Sequence, residues 1–398
     1  MPALHLLIKP ASLSCNMRCS YCFSFDIAKN RGIKSYGIMS VDTLEQIVRK
    51  TLEISEQQCT FAFQGGEPTL AGLDFYKSLI ELVAYYNTKN IDVQYALQTN
   101  GYKINKEWAV FFKQNRFLVG LSLDGMKEVH DLYRKDAGGR ETFSKTMQAA
   151  ELFRRWQVDF NILTVVTAQT AKRISQIYRF FGRNNFLYQQ YIPCLDPLSN
   201  QQGSSAANHD NQGISDTLSS RGFEQYSLTP ELYGDFLMTL FDLWYDDFVK
   251  GKRISIRYFD NLLQMIMGYP PESCAMMGHC TRQIVVEADG SVYPCDFYVL
   301  DEYRLGNLLT DDFSKIEKTR DTIGFIAPSL NKSPICDGCV WYPLCRGGCR
   351  RDREIIEKTD TLHNYYCPAY RKFFEYAYLR LEMCARSLAT QHHTSTFN

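Results

Sequence analysis

Residues 4–23 read LHLLIKPASLSCNMRCSYCF: a short apolar run, a proline-marked turn, and then Cys15, Cys19 and Cys22 in C-x3-C-x2-C spacing. An apolar run of this length closed by a turn signal predicts a buried strand, so the cysteines open the loop at its end. Working outward, the runs at 59–63, 92–98, 117–123, 159–166 and 187–192 have the same character as 4–9. Amphipathic stripes lie between them. Leu44, Ile47, Val48 and Leu52 fall at i, i+3, i+4 and i+8, and similar patterns occur near 73–86, 105–115, 143–155 and 171–182. Strands alternating with helices predict βαβ units with right-handed crossovers and a parallel sheet. Six units suit an α/β fold built as a partial, open (β/α)6 barrel better than a closed eight-fold one.

With 398 residues the chain has room for two or three folding units. Its composition, 45% hydrophobic and 22% charged, is globular and argues against disorder. Forty-four basic and forty-four acidic side chains cancel, which removes bulk attraction to nucleic acid or an anionic membrane. No stretch approaches the ~20 apolar residues of a membrane span, and MPALHLLIKPAS (1–12) lacks a signal-peptide pattern. Fourteen cysteines, about 3.5%, stay below the roughly 8–10% of a secreted disulfide scaffold. The expectation is a cytoplasmic protein whose clustered thiols bind metal or do chemistry.

The texture changes along the chain. Residues 1–228 carry the barrel pattern, broken by a Ser/Asn/Gln/Gly-rich insertion at 198–222. A helical connection follows at 229–273. Residues 274–367 are dense in cysteine, with a hairpin signal at Ala288-Asp289-Gly290 and too few apolar residues for an independent core, so metal staples are expected. Residues 368–398 read as a closing helix with Tyr370, Phe374, Tyr378 and Leu381 as its buried stripe, and a frayed tail from 389.

Three thiolates can hold a four-iron cluster with one iron left open, much as a catalytic zinc keeps one position free. A three-thiolate zinc site with a distant fourth ligand has the same spacing. Phe63-Gln64-Gly65-Gly66-Glu67-Pro68-Thr69 follows the second strand; its glycines allow close backbone approach to a ligand, and Glu67 can bind an amine. The C-terminal half holds Cys274, Cys280, Cys295, Cys336, Cys339, Cys345, Cys349 and Cys367, two sets of four. Count and spacing do not separate structural zinc from iron–sulfur there. Cys59, Cys194 and Cys384 remain: Cys59 and Cys384 read as core, and Cys194 lies near the active-site end of a strand but is not read as catalytic.

The cysteine motif together with the GGEP turn resembles the radical S-adenosylmethionine (SAM) superfamily, and the eight later cysteines resemble its SPASM extension. Longer blocks are similar to the anaerobic sulfatase-maturating enzymes: FAFQGGEPTLAGL, LQTNG, GLSLDG, GRNNFLYQQYIPCLDPL, IRYFDNLL, VYPCDFYVLD and CRGGCRR. That resemblance implies SAM and three [4Fe–4S] clusters as cofactors. Cys15, Cys19 and Cys22 would hold the first; Cys274, Cys280, Cys295 and Cys349 the second; Cys336, Cys339, Cys345 and Cys367 the third. It implies SAM contacts at Tyr21, Gly66, Ser122, Arg134 and Leu195, with Cys194 close enough to be near SAM. It further implies that a SAM-derived radical takes a hydrogen from Cβ of a sulfatase Cys or Ser, that Asp296 takes the proton, and that an auxiliary cluster takes the second electron. The product would be Cα-formylglycine. Read without the family, Asp296 is a turn carboxylate and Arg134 a solvated helix residue; Tyr258 and Asp260 line a groove or pack in the core.

The expected partners are an unfolded or nascent sulfatase polypeptide with a C/S-x-P-x-R-type motif and an electron donor such as flavodoxin or ferredoxin. No nucleic acid or membrane partner is expected, and the chain reads as a monomer. Two other readings compete: a SPASM maturase that crosslinks a ribosomal peptide through thioether or carbon–carbon bonds, and a zinc-stabilised binding scaffold without catalysis.

Overall fold

Apolar alternation and helix caps set the elements seen in the computed structural model, which describes residues 4–198, 225–355 and 362–395. Along the first part run β1 (Leu4–Ile8), α1 (Phe23–Lys29), α2 (Val41–Ile54), β2 (Gln58–Phe63), α3 (Leu73–Tyr86), β3 (Asp92–Thr99), α4 (Lys106–Gln114) and β4 (Phe117–Ser122). Next come α5 (Lys127–Tyr133), α6 (Phe143–Arg155), β5 (Asp159–Val166), α7 (Ala168–Lys172), α8 (Ile174–Arg183) and β6 (Tyr188–Pro193). They are followed by α9 (Pro230–Val249), β7 (Ser255–Ile256), α10 (Arg257–Ile266), β8 (Ile284–Val286), β9 (Ser291–Tyr293), β10 (Gly306–Asn307) and α11 (Phe313–Ile323). The chain closes with α12 (Tyr342–Cys345), β11 (Arg353–Ile355), β12 (Leu362–Asn364) and α13 (Cys367–Ser395). The six strands expected from the sequence all form. The insertion expected at 198–222 lies outside the described residues except for Leu198.

Two compact units result. The first contains Met1–Leu123, His130–Ile162 and Arg282–Phe325; the second contains Asp124–Val129, Leu163–Thr281 and Ile326–Asn398. In the first, the strand order is β10-β9-β8-β1-β2-β3-β4. β1–β2, β2–β3, β3–β4 and β1–β8 are parallel. The expected hairpin is β8–β9, and it adds to the sheet beside β1. Register places Leu7 beside Ala62, Ala62 beside Ala96, and Ala96 beside Leu118. Cys59, Phe61, Phe63, Leu97, Val119 and Leu121 therefore point to the opposite, buried face. There Phe63 meets Tyr76 edge-on at 5.1 Å. Burying Phe61 alone stabilises by about 1.5–3 kcal/mol. α2 starts where the Ser40 side chain accepts from the Thr43 N–H, and it buries Leu44, Ile47, Val48 and Leu52.

In the second unit β6 and β7 pair in parallel. α9 begins at the Thr229 cap with Pro230 in its first turn. It packs on α13 through Phe241 and Phe373, whose rings lie 5.9 Å apart, and Lys372 pairs with Asp235 at 2.6 Å. On α13 the buried stripe is Phe373, Phe374, Ala377, Leu381 and Cys384. No Gly or Pro interrupts residues 389–395, and the helix continues through Ser395 where fraying was expected. No helix among the described residues is long and apolar enough to cross a membrane.

Candidate active site

The loop after β1 carries Cys15, Cys19 and Cys22, all half-buried and not disulfide-bonded. Backbone bonds fasten it to the segment after α5: Arg18 N–H to Lys135 O at 2.8 Å, Ser20 N–H to Tyr133 O at 3.1 Å, and Ala137 N–H to Asn16 O at 2.9 Å. Met17 N–H donates to Cys15 Sγ at 3.3 Å. Burial, with help from Glu67, pushes the Cys15 thiol up to about 12; a bound metal would displace that proton. Asn16 Nδ2 is buried in the same loop with no hydrogen-bond partner among the described residues.

The GGEP turn seals this loop from beneath. Glu67 N–H donates to Ser14 O at 2.9 Å. At Gly66, with φ +55°, a methyl group would overlap the Ser14 carbonyl oxygen and stand 2.9 Å from that of Ser12. Its lack of a side chain is thus required by the chain's own cysteine loop. Glu67 is 1% exposed. It accepts from Thr69 Oγ1 and Thr99 Oγ1, each at 2.7 Å, and from Asn100 N–H at 2.8 Å. Burial still pushes its carboxyl up. These bonds tie the turn to the end of β3. Asn100, for which the sequence suggested no role, reaches Asn16 Oδ1 at 2.8 Å and Cys15 Sγ at 3.8 Å.

The face of the sheet opposite the helices is polar toward the strand ends. Gln98 Nε2 donates to Ser122 Oγ at 2.9 Å. One pleat beyond Leu7 and Ala62 stand Lys9 and Gln64, and both hold Asp296. Lys9 Nζ lies 2.6 Å from Oδ1, and Gln64 Nε2 lies 2.8 Å from Oδ2. Asp296 is 7% exposed and opens a 3-10 turn directly after Cys295. Arg134 is 6% exposed, with its guanidinium 5.5 Å from the centre of the Tyr21 ring, so it is a buried side chain and not the solvated helix residue of the bland reading. Leu195 is half-buried in the second unit, after β6. Lys9 and Gln64 were not singled out from the sequence. Their one signal is period 2: each continues a strand's sheet-facing positions by one step, at the strand's C-terminal end.

In the second unit, Cys336, Cys339, Cys345 and Cys367 line one cavity of about 350 Å³, walled by Trp341, Tyr370 and Phe374. Burial, with the neighbouring thiols adding to it, pushes Cys345 up to about 12. Four thiols on one cavity fit a thiolate-held cluster. Cys349, four residues past Cys345, is absent from that lining, and its Sγ accepts from Arg351 N–H at 3.4 Å. Among the described residues, no group of three His, Cys, Asp or Glu is placed to hold a single metal ion. Arg353 ties the loops between the cysteines together, donating to the carbonyls of Gly278, Ser329, Gly347 and Gly348 at 2.6–3.2 Å. Cys59 and Cys384 are buried, as the sequence suggested, and so is Cys194 after β6. Asp260 accepts from Ser255 Oγ at 2.6 Å, and burial pushes its carboxyl up to about 6.

Comparison with known proteins adds to this geometry. Residues 11–181 match the family model of the radical SAM superfamily, and residues 274–340 match that of the SPASM iron-sulfur cluster-binding domain. The chain is 48% identical, over 99% of its length and 100% of the relative's, to the cysteine-type anaerobic sulfatase-maturating enzyme of Clostridium novyi. It is 31% identical, over 98% of its length and 92% of the relative's, to the serine-type enzyme of Bacteroides thetaiotaomicron. The solved structure of native anSMEcpe with bound AdoMet and Cp18Cys peptide superposes with a TM-score of 0.87 at 47% identity, covering 97% of this chain and 100% of that one.

Proposed function

Because this chain belongs to the anaerobic sulfatase-maturating enzymes of the radical SAM superfamily, we propose that it oxidises a cysteine of a sulfatase polypeptide to Cα-formylglycine. Cysteine is favoured over serine by identity: 48% to the cysteine-type relative against 31% to the serine-type one. The observation that carries the reading is Asp296, a buried carboxylate gripped on both oxygens and adjacent in sequence to Cys295.

Cys15, Cys19 and Cys22 would hold the SAM-binding cluster, in a loop that the GGEP turn and Asn100 brace. Tyr21, Gly66, Ser122, Arg134 and Leu195 would contact SAM; the buried Arg134 offers a carboxylate partner and Ser122 a hydroxyl at the strand ends. Auxiliary clusters would be held by Cys274, Cys280, Cys295 and Cys349, and by Cys336, Cys339, Cys345 and Cys367; the shared cavity supports the second set. Held there, the clusters and SAM would supply one-electron chemistry: removal of one Cβ hydrogen and a sink for a second electron. Asp296 accepts the thiol proton. Loss of two electrons and two protons leaves a thioaldehyde, which water converts to the aldehyde with release of hydrogen sulfide. The site's working division is 1–228 for radical generation and 274–367 for the auxiliary clusters. The electron donor is a small carrier of the flavodoxin or ferredoxin class, and the working state is a monomer in the cytoplasm.

Asp296→Asn tests the reading. The variant should cleave SAM to 5′-deoxyadenosine while losing formylglycine by about 100-fold or more, the range of a general base. Near-normal aldehyde formation would remove Asp296 from this role.

A further inference from the structure

Asp296 does not stand alone among buried charges. Lys9, 4% exposed, is within 2.6 Å of it. Glu287, fully buried, accepts from Arg31 Nη1 at 2.7 Å. Asp296, Lys9, Glu287 and Arg31 thus form two buried ion pairs in the interior of one unit. A lone buried carboxylate is costly, and so is a lone buried ammonium. Here Lys9 has Asp296, and Arg31 has Glu287, as a direct ion-pair partner. Burial acts to deprotonate Lys9, but Asp296 and Glu287 outweigh it and hold the ammonium charged.

The path of Lys9 is built into the turn that braces the cysteine loop. At Gly65, with φ +114°, a methyl group would stand 2.7 Å from Lys9 Cε and 2.9 Å from Nζ. Gln64 N–H donates to Ile8 O at 3.0 Å, which keeps Lys9 and Gln64 on neighbouring strand ends. The first glycine of the turn therefore makes room for the lysine, and the second for the cysteine loop.

We infer that Lys9 is the positioning residue of the proton acceptor: threaded past Gly65, it fixes Asp296 Oδ1 so that the carboxylate presents its remaining lone pairs to the substrate thiol. This rests on Asp296 as the base. It assigns Lys9 no contact with SAM or substrate.

The test is a double-mutant cycle on the anaerobically reconstituted holoenzyme with a cysteine-containing C-x-P-x-R peptide, reading formylglycine formed per 5′-deoxyadenosine released. Lys9→Met should retain iron, leave peptide KM within about threefold, and lower that ratio by about 10- to 100-fold, below the full effect of losing the base. In the Asp296→Asn background, Lys9→Met should add nothing, because it acts only through Asp296. An unchanged ratio in Lys9→Met, or the same loss in both backgrounds, would overturn the inference and leave Asp296 as base. A normal ratio in Asp296→Asn alone would instead sink the base reading. Should Lys9→Met fail to hold iron, Lys9→Ala with added propylammonium decides. Restoration by the amine and not by propanol supports the positioning role; equal restoration by both, or by neither, refutes it.

Discussion

Gly66→Ala puts one methyl group where the turn meets the cysteine loop. The new Cβ overlaps the Ser14 carbonyl oxygen and lies 2.9 Å from Ser12 O and 3.1 Å from the Leu13 carbonyl carbon. Against ordinary separations near 3.5 Å, the loop must withdraw by roughly half an ångström at Ser12 and by more at Ser14. Its neighbours are backbone, so no side chain can swing aside. Residue 66 also sits at φ +55°, where a side chain costs about 1–2 kcal/mol. Overpacking adds about 1–3 kcal/mol. The sum, about 2–5 kcal/mol, falls on the loop carrying Cys15. The assay is iron per chain after anaerobic reconstitution, beside urea unfolding. Iron should drop from about twelve to about eight atoms per chain as the three-cysteine cluster is lost, with SAM cleavage abolished. A Gly66→Ala protein with full iron, an unchanged urea midpoint and normal SAM cleavage would refute this account of the turn.

Two further predictions concern the second unit. Arg353→Met removes four bonds to carbonyls of the cysteine-bearing loops; it should lower unfolding free energy by about 2–4 kcal/mol and cut auxiliary iron, and an unchanged midpoint and iron count would show the hub to be dispensable. Asp260, pushed up to about 6 by burial, binds its proton more tightly folded than unfolded. Its contribution is therefore fully present below the unfolded value near 3.9 and is lost as pH rises to about 6, about 3 kcal/mol in all. Asp260→Asn should exceed the parent by up to about 3 kcal/mol in urea unfolding at pH 7.5, and by about half that at pH 5; the same pH slope in both proteins would refute it.

The strands were legible because their apolar runs are four to eight residues long and closed by turn residues. β5, read at 159–166, forms at Asp159–Val166. The three-residue strands β8 and β9 show no period to read, and nothing local announces that β8 joins β1, more than 270 residues earlier. The cysteine groups were legible by spacing. The use of the two glycines was read only in part: close approach was expected toward a ligand, whereas the atoms that exclude a side chain are Ser14 O for Gly66 and Lys9 Cε for Gly65. Lys9 and Gln64 escaped notice because their partner, Asp296, is reached only through sheet register and a contact spanning more than 230 positions. The bonding of Glu67 is invisible in sequence: Oε1 accepts from Thr69 and Thr99, and Oε2 from Asn100 N–H.

The most direct measurement incubates the reconstituted enzyme anaerobically with SAM, dithionite and matched cysteine- and serine-containing C/S-x-P-x-R peptides, following peptide mass beside 5′-deoxyadenosine. The account predicts conversion of the cysteine peptide to its aldehyde, with one 5′-deoxyadenosine per aldehyde and slower turnover of the serine peptide. SAM cleavage that leaves both peptides at their starting mass would contradict it.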